Sequence, residues 1–329
     1  MLHNKLNIAN LNTPIQKLEQ LSQSLGKNIY IKRDDYTGTE VSGNKVRKLE
    51  YTIHYVLSRG YDTVITSGAI TSNHARATAA LCAKYNIECH LALEGEMAEF
   101  EGNLFLDAIL GAHVHIIEPE SSREDAMERL YKTLEGQGKT PYLIPMGASD
   151  WIGTQGYVNA YNEILKQQTE MNIVFDSINV AVGSGGTYTG LWYGCMTNKA
   201  STQIIGYAVN KSANIFKNKV IEIAKQLDEG IQSFDTININ DAYIGLGYGK
   251  ATDEELEFYI EIAQSEGIVL DPTYTGKAFR GLVQEIKSGN YNNQDNILFI
   301  HTGGIQGYTK DTRLRMQNML HKIDYSLLK

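Results

Sequence analysis

Short β-branched runs alternate with helical stretches along almost the whole chain, and this alternation limits the possible folds more than any other feature. The runs stand at residues 62–66, 89–93, 113–117, 177–182, 203–209 and 296–300, and an Ala-rich helical stretch at 75–83 follows the first. The pattern predicts an α/β architecture of mostly parallel sheets with helices on both faces. In such folds ligands gather where strand C-termini open into loops. A chain of 329 residues can bury a sizeable core and is expected to form two lobes, although no repeat or proline-rich linker marks their boundary. Polar segments at 118–124 and 233–240 read as connections or exposed loops.

Composition removes several function classes. A net charge of −8 and a pI near 5.5, without a basic run, argue against a general nucleic-acid binder. Cys82, Cys89 and Cys195 form no CxxC pair, and their odd number rules out a complete disulfide framework, which fits a reducing cytoplasm. Residues 1–5 lead into polar sequence with no apolar signal core. No apolar run approaches the roughly 20 residues that span a bilayer. The expected partner is a small molecule.

Residues 42–50 read Ser-Gly-Asn-Lys-Val-Arg-Lys-Leu-Glu and open an amphipathic helix. Val46, Leu49, Ile53, Val56 and Leu57 form its apolar stripe, which runs to Gly60. Lys45 lies four residues before Leu49 and extends that stripe, whereas Arg47 and Lys48 read as surface charges. A lysine that snorkels to solvent satisfies the same pattern. If Lys45 faces inward, burial and the positive end of the helix dipole both disfavour its ammonium form. A neutral amine can attack an aldehyde to form a Schiff base.

Four strand-to-helix junctions offer polar loops. The strand at 177–182 runs into Gly183-Ser184-Gly185-Gly186-Thr187-Tyr188-Thr189-Gly190, where converging N–H groups and a helix dipole would cradle phosphate. This turn lacks the Gly-Lys-Ser/Thr ending of a nucleotide loop, and Tyr188 stands where a dinucleotide fingerprint needs its third glycine. Tight packing alone also uses such turns. At 66–74 the sequence Thr-Ser-Gly-Ala-Ile-Thr-Ser-Asn-His places Ser72 and Asn73 to cap a helix or to bind a carboxylate. His74 reads as an interior or capping histidine, since no second metal-type ligand sits at helical spacing. Tyr274 and Thr275, in Asp-Pro-Thr-Tyr-Thr-Gly-Lys at 271–277, stand at the mouth of another helix, although Tyr274 also suits packing. The strand at 296–300 ends in His301-Thr302-Gly303-Gly304. Four such loops on one sheet system would converge on one crevice.

In order and over nearly the whole chain, from residues 31–35 to 301–304, these segments resemble the fold-type II pyridoxal-phosphate enzymes, the tryptophan synthase β-like group. Within it the resemblance is to the D-cysteine desulfhydrase and 1-aminocyclopropane-1-carboxylate (ACC) deaminase family. It implies two lobes, each a twisted, mostly parallel sheet flanked by helices. Residues 1–49 and 161–329 would form the larger, phosphate-binding lobe, residues 50–160 the smaller, and the protein would be a homodimer. Lys45 would hold pyridoxal 5'-phosphate as a Schiff base, and Ser184, Gly185, Gly186 and Thr187 would hold its phosphate. Asn73 would bond the cofactor's ring hydroxyl. Ser72, with Asn73 and His74, would hold the substrate carboxylate and assist proton transfer. Tyr274 would lie against the cofactor ring, and Tyr248 matches a second active-site tyrosine.

Thr275 and Thr302 bear on the branch. ACC deaminases carry a glutamate and a leucine at these positions, and a carboxylate keeps the cofactor's ring nitrogen protonated for ring opening. A neutral threonine suits α,β-elimination instead. The resemblance therefore implies conversion of D-cysteine to pyruvate, hydrogen sulfide and ammonia, with ACC deamination and L-cysteate sulfo-lysis as alternatives. A non-catalytic protein that kept the cofactor, or a phosphosugar binder without it, are the readings from other classes; joint retention of Lys45, Ser72, Tyr248 and Tyr274 argues against the former. Departures from the family pattern are Thr71 before Ser-Asn-His, Gly-Ala-Ser-Asp at 147–150 with Trp151 next, Leu246, and Lys250. If Lys250 points inward it would favour an anionic β-substituent; otherwise it is solvated.

Overall fold

The computed structural model describes residues 4–95, 100–118 and 120–320, so the part of the leader reading that rests on residues 1–3 lies outside the described residues. The chain begins in the larger lobe with β1 (Ile15–Lys17), α1 (Glu19–Leu25) and β2 (Asn28–Lys32), and α2 (Asn44–Ser58) carries it to the smaller. There β3 (Thr63–Ala69), α3 (Asn73–Tyr85), β4 (Glu88–Glu94), α4 (Gly102–Ile109), β5 (His113–Ile116), α5 (Arg123–Gly136) and β6 (Pro141–Leu143) follow one another. Helix α6 (Trp151–Met171) returns the chain to the larger lobe. That lobe is completed by β7 (Ser177–Val182), α7 (Gly186–Thr197), β8 (Gln203–Ala208), α8 (Ala213–Leu227), β9 (Asn238–Asn240), α9 (Asp253–Glu266), α10 (Thr275–Lys287), β10 (Asn296–Ile300) and α11 (Lys310–Met319).

Six strands in the order β1-β2-β10-β7-β8-β9 form the larger sheet, and four in the order β5-β4-β3-β6 form the smaller. All pairings are parallel except β1 with β2. The alternation of the sequence is thus realised as an α/β fold. The polar segment at 233–240 is not all loop, because its last three residues add β9 to the sheet edge.

Both sheets are covered on both faces, which is why their strands read as continuous apolar runs. On one face of the larger sheet Val180 and Val182 pack with Tyr157, Ile164 and Leu191; on the other Ile29, Ile31 and Phe299 pack with Phe279 and Leu282. In the smaller lobe Leu91 and Leu93 meet Ala75, Leu81 and the stripe of α2, while Ile65 and Ala92 meet Met127 and Leu134 of α5. Helices α2 and α6 pack against each other between the sheets. Val46 and Leu49 face the smaller sheet's core, and Tyr157 and Ala160 the larger's.

The stripe of α2 is fully buried at Val46, Leu49, Ile53 and Val56, each contributing about 1.5–3 kcal/mol by leaving water. The start of the helix is pinned from outside. Gly43 precedes it at φ +78, and a Cβ there would lie 2.4 Å from the Thr302 carbonyl oxygen. Only glycine tolerates both the conformation and the approach. The Asn44 N–H donates to that carbonyl at 3.2 Å, fixing the first turn of α2 beside the end of β10.

The charged face of α2 contradicts its reading as surface. Arg47 and Lys48 are buried, at 2% and 0% exposure, because α3, α6 and the loop before α6 enclose the helix. Arg47 donates to Asp34 at 2.9 and 2.8 Å and to Glu163 at 2.8 Å, and Lys32 donates to the same Glu163 at 2.7 Å. These four charges tie β2, α2 and α6 together. Charge alone does not distinguish a solvated face from one buried among carboxylates.

Candidate active site

A crevice of about 730 Å³ opens between the two sheets at their strand C-termini. It is lined by Lys45, Ser72, Asn73, His74, Ser184, Gly185, Thr187, Tyr248, Tyr274 and Thr302. Residues from six separate segments meet there. Two residues singled out from sequence do not line it: Gly186, within the glycine turn, packs against Lys48 and Ser149, and Thr275 faces Asp271.

Lys45 Nζ donates to Asn44 Oδ1 at 3.0 Å and lies 5.7 Å from the centre of the Tyr274 ring. Asn44 in turn donates to Thr187 Oγ1 at 2.9 Å, which couples the lysine to the glycine turn. Burial pushes the amine down from its ordinary value to about 8; Asp271 opposes this and Arg76 adds to it. A substantial share of such an amine is neutral near physiological pH.

The glycine turn packs too closely for side chains. A Cβ on Gly183 would meet the Tyr274 ring at 2.7 Å, and one on Gly186 would meet Lys48 Nζ at 2.7 Å and Ser149 Oγ at 2.8 Å. Beneath the turn, Lys48 donates to the Gly147 carbonyl and, at 2.6 Å, to Ser149 Oγ. Ser149 donates to Ser184 Oγ at 2.7 Å and accepts from the Gly186 N–H at 3.3 Å. Burial and the field of Lys45 hold the Lys48 amine well below its usual range. A buried lysine linked by one serine to the glycine turn at the N-terminus of α7 is suited to an anion there. Lys48 was missed as a surface charge, yet helical spacing carried the signal, since Lys48 stands three residues after Lys45 and so shares its side of the helix.

On the opposite rim Ser72 caps α3, its Oγ accepting from the Ala75 N–H at 3.2 Å, and Asn73 Oδ1 accepts from Asn103 at 3.0 Å. His74 bonds Thr66 Oγ1 through Nε2 at 2.9 Å, and Thr66 donates its own hydrogen to the Ile144 carbonyl at 2.8 Å. Nε2 must therefore be the donor, which leaves Nδ1 as a lone-pair acceptor. Burial keeps the ring neutral. Nδ1 is buried without a hydrogen-bond partner among the described residues.

Tyr274 donates to Tyr248 at 2.9 Å. Burial raises both phenols, so both remain neutral. Asp271, quoted in its motif but given no role, is fully buried beneath the start of α10. It accepts from the N–H groups of Thr273, Tyr274 and Thr275 at 2.7–2.9 Å and from Thr275 Oγ1 at 2.7 Å. Thr275 Oγ1 also accepts from the Asp271 N–H at 2.8 Å. Of the remaining departures, Asp150 caps α6 through the Gly153 N–H at 2.8 Å, while Lys250 and Leu246 are exposed and do not line the crevice.

A partly neutral lysine, a glycine turn at a helix N-terminus above a buried lysine, and polar helix caps across the crevice fit a phosphorylated aldehyde cofactor that condenses with an amino acid. These are features that a pyridoxal-phosphate enzyme requires of its site. The chain belongs to the pyridoxal-phosphate dependent enzyme family, whose model matches residues 6–303.

The chain is 43% identical over 300 residues, 90% of each protein, to a Pyrococcus furiosus protein named provisionally as a 1-aminocyclopropane-1-carboxylate deaminase. It is 40% identical over 313 residues to the bifunctional D-cysteine desulfhydrase/ACC deaminase, mitochondrial, of Arabidopsis thaliana, covering 91% of this chain and 78% of that one. A crystal structure of an ACC deaminase homologue superposes with a TM-score of 0.89 at 39% identity, covering 96% of both chains. The protein is thus a pyridoxal-phosphate-dependent enzyme of the lyase kind, with the tryptophan synthase β-like fold. Among the described residues no helix is long and apolar enough to cross a membrane.

Proposed function

We propose that this enzyme catalyses α,β-elimination on a small amino acid, D-cysteine foremost, yielding pyruvate, hydrogen sulfide and ammonia. The observation that carries the reading is the neutral character of the threonine positions. Thr302 lines the crevice, and the carboxylate bonded to Thr275 among the described residues, that of Asp271, is engaged by three backbone N–H groups and the Thr275 hydroxyl. Such an arrangement offers no free carboxylate there to hold a ring nitrogen protonated, which favours elimination over ring opening.

In this reading Lys45 binds the cofactor, which is held by Ser184, Gly185 and Thr187 at its phosphate, with Lys48 behind them, and by Asn73 and Thr302 around its ring, while Gly186 and Thr275 act from outside the crevice lining. Bound there, pyridoxal phosphate supplies the electron sink that acidifies the substrate Cα–H. Once the substrate's own amine has displaced it from the cofactor, the Lys45 Nζ takes the Cα proton, and burial, which lowers this amine to about 8, eases its release of a proton and its use as a base. The Cβ–S bond then breaks, sulfide leaves with a proton, and the released enamine hydrolyses to pyruvate and ammonia. Ser72, Asn73 and the Nδ1 lone pair of His74 serve the substrate end, the first two as donors to its carboxylate. Tyr248 and Tyr274, coupled through their hydroxyls, are neutral donors toward the leaving group. A division into residues 1–49 with 161–329 and residues 50–160, a homodimeric state and a cytoplasmic location complete the proposal.

The bifunctional name of the plant relative favours ACC deamination as the second reading. Keto-acid release from D-cysteine, L-cysteine, L-cysteate and ACC, assayed in parallel, separates the substrates. D-cysteine should lead, and turnover of ACC well above it would overturn the threonine argument. Borohydride reduction followed by peptide mapping should place a pyridoxyl adduct on Lys45; an adduct elsewhere would remove the proposed base.

A further inference from the structure

The outer face of the smaller sheet carries a second cluster of reactive side chains, separate from the crevice. Strands β4 and β5 pair in parallel with His90 opposite His113 and Ala92 opposite His115. Because side chains alternate, Glu88 and His90 share a face of β4, and His113 and His115 share a face of β5. Ligand atoms of Glu88, His90 and His113 all lie within 4.8 Å of one another. The His113 and His115 rings stack on His90 at 4.7 and 5.3 Å between centroids. Glu94, at the far end of β4, lines the crevice, so the cluster sits at the strand end remote from it.

From this geometry we propose that Glu88, His90 and His113 bind a divalent first-row transition ion, Zn²⁺ foremost, with water completing a tetrahedral shell. Two imidazoles and one carboxylate are the donor set that suits such ions. His90 Nε2 and Glu88 Oε1 are 2.9 Å apart and share a proton, which the ion replaces. The outer contacts are already set. His90 Nδ1 lies 3.0 Å from His115 Nε2, so a ring that ligates through Nε2 donates its Nδ1–H to His115, the usual second contact that orients a metal-bound histidine. Glu88 Oε2 pairs with Lys139, which leaves Oε1 as a single ligand atom. His113 is exposed on the edge strand and free to turn its ring toward the ion. The site would clamp β5, the edge strand, to β4.

The test uses tag-free holoenzyme titrated with Zn²⁺ by calorimetry and with Co²⁺ by visible absorption. One equivalent should bind, the Co²⁺ complex should show tetrahedral d–d bands, and saturating Zn²⁺ should raise the melting temperature. His113→Ala, at an exposed position that leaves the core intact, should abolish the bands, and His115→Gln should weaken binding roughly tenfold through the lost outer contact. His54→Ala, on a different element, should change nothing. Absence of stoichiometric binding, or affinity unchanged in both His113→Ala and His90→Gln, would overturn the proposal. Keto-acid turnover is not the readout, so the outcome is independent of the substrate assignment.

Discussion

Helix α2 serves two groups of buried cations built in opposite ways. Arg47, with Lys32 beside it, meets Asp34 and Glu163 in a neutral set of two cations and two carboxylates. Desolvation would depress Arg47, yet its carboxylate partners raise it above its ordinary value, and both carboxylates are held below theirs. Lys45 and Lys48, two residues before and one residue after it, have no carboxylate at ion-pair distance among the described residues. Their amines are depressed, and so is His74. The saturated set holds elements in place, while the unsaturated set stores reactivity and an appetite for anions.

This contrast can be broken most severely at Lys45. Replacement by alanine should reduce turnover by roughly 10²–10⁴-fold while leaving the circular dichroism spectrum unchanged, since no ion pair is lost. Next in size, Arg47→Met should destabilise the fold by about 3–5 kcal/mol in denaturant titration, because it strands Asp34 and Glu163. Should that variant fail to express, Glu163→Gln reports the same loss in milder form. Lys48→Met should behave in the opposite sense. Apoenzyme stability should hold or rise, because an unpaired buried cation is gone, while cofactor affinity falls about 10- to 100-fold with the loss of a charge-assisted hydrogen bond. A matching loss of apoenzyme stability would place Lys48 with the saturated set.

The electrostatics of Lys45 allow a finer test. Its amine deprotonates through about 8, so capture of the cofactor aldehyde by apoenzyme should accelerate as pH rises through that value. Arg76 depresses the amine, so Arg76→Met should shift the profile up; Asp271 raises it, so Asp271→Asn should shift it down. Stopped-flow absorbance against pH would reveal reversed shifts if the field were misassigned. The smallest effect is expected at Asp150→Asn, where both side chains cap α6 equally well and stability should change by only a few tenths of a kcal/mol.

The strands at 177–182 and 296–300, the start of α2 and the four strand-end loops were all legible in the sequence, because each is a local pattern of period two or 3.6 closed by glycine or a capping residue. The three-residue strands β1, β6 and β9 were not, since so few residues show no period. Of the site, Lys45, Ser72, Asn73, Tyr274 and the glycine turn stood out by motif. Lys48 and Asp271 did not, and Thr275 proved to face Asp271 rather than the crevice.

By itself, then, the sequence determined the alternation that builds two parallel sheets, the glycines that allow close approach at their strand ends, and a lysine on the inward stripe of one helix. Tertiary structure alone decided which charges are paired. Arg47 and Lys48 are adjacent in the chain and both basic, but one side chain finds Glu163 on a helix more than a hundred residues away and the other, among the described residues, a carbonyl and a serine. An ammonium's state depends on the water and countercharge around it, and both are set by segments distant in sequence.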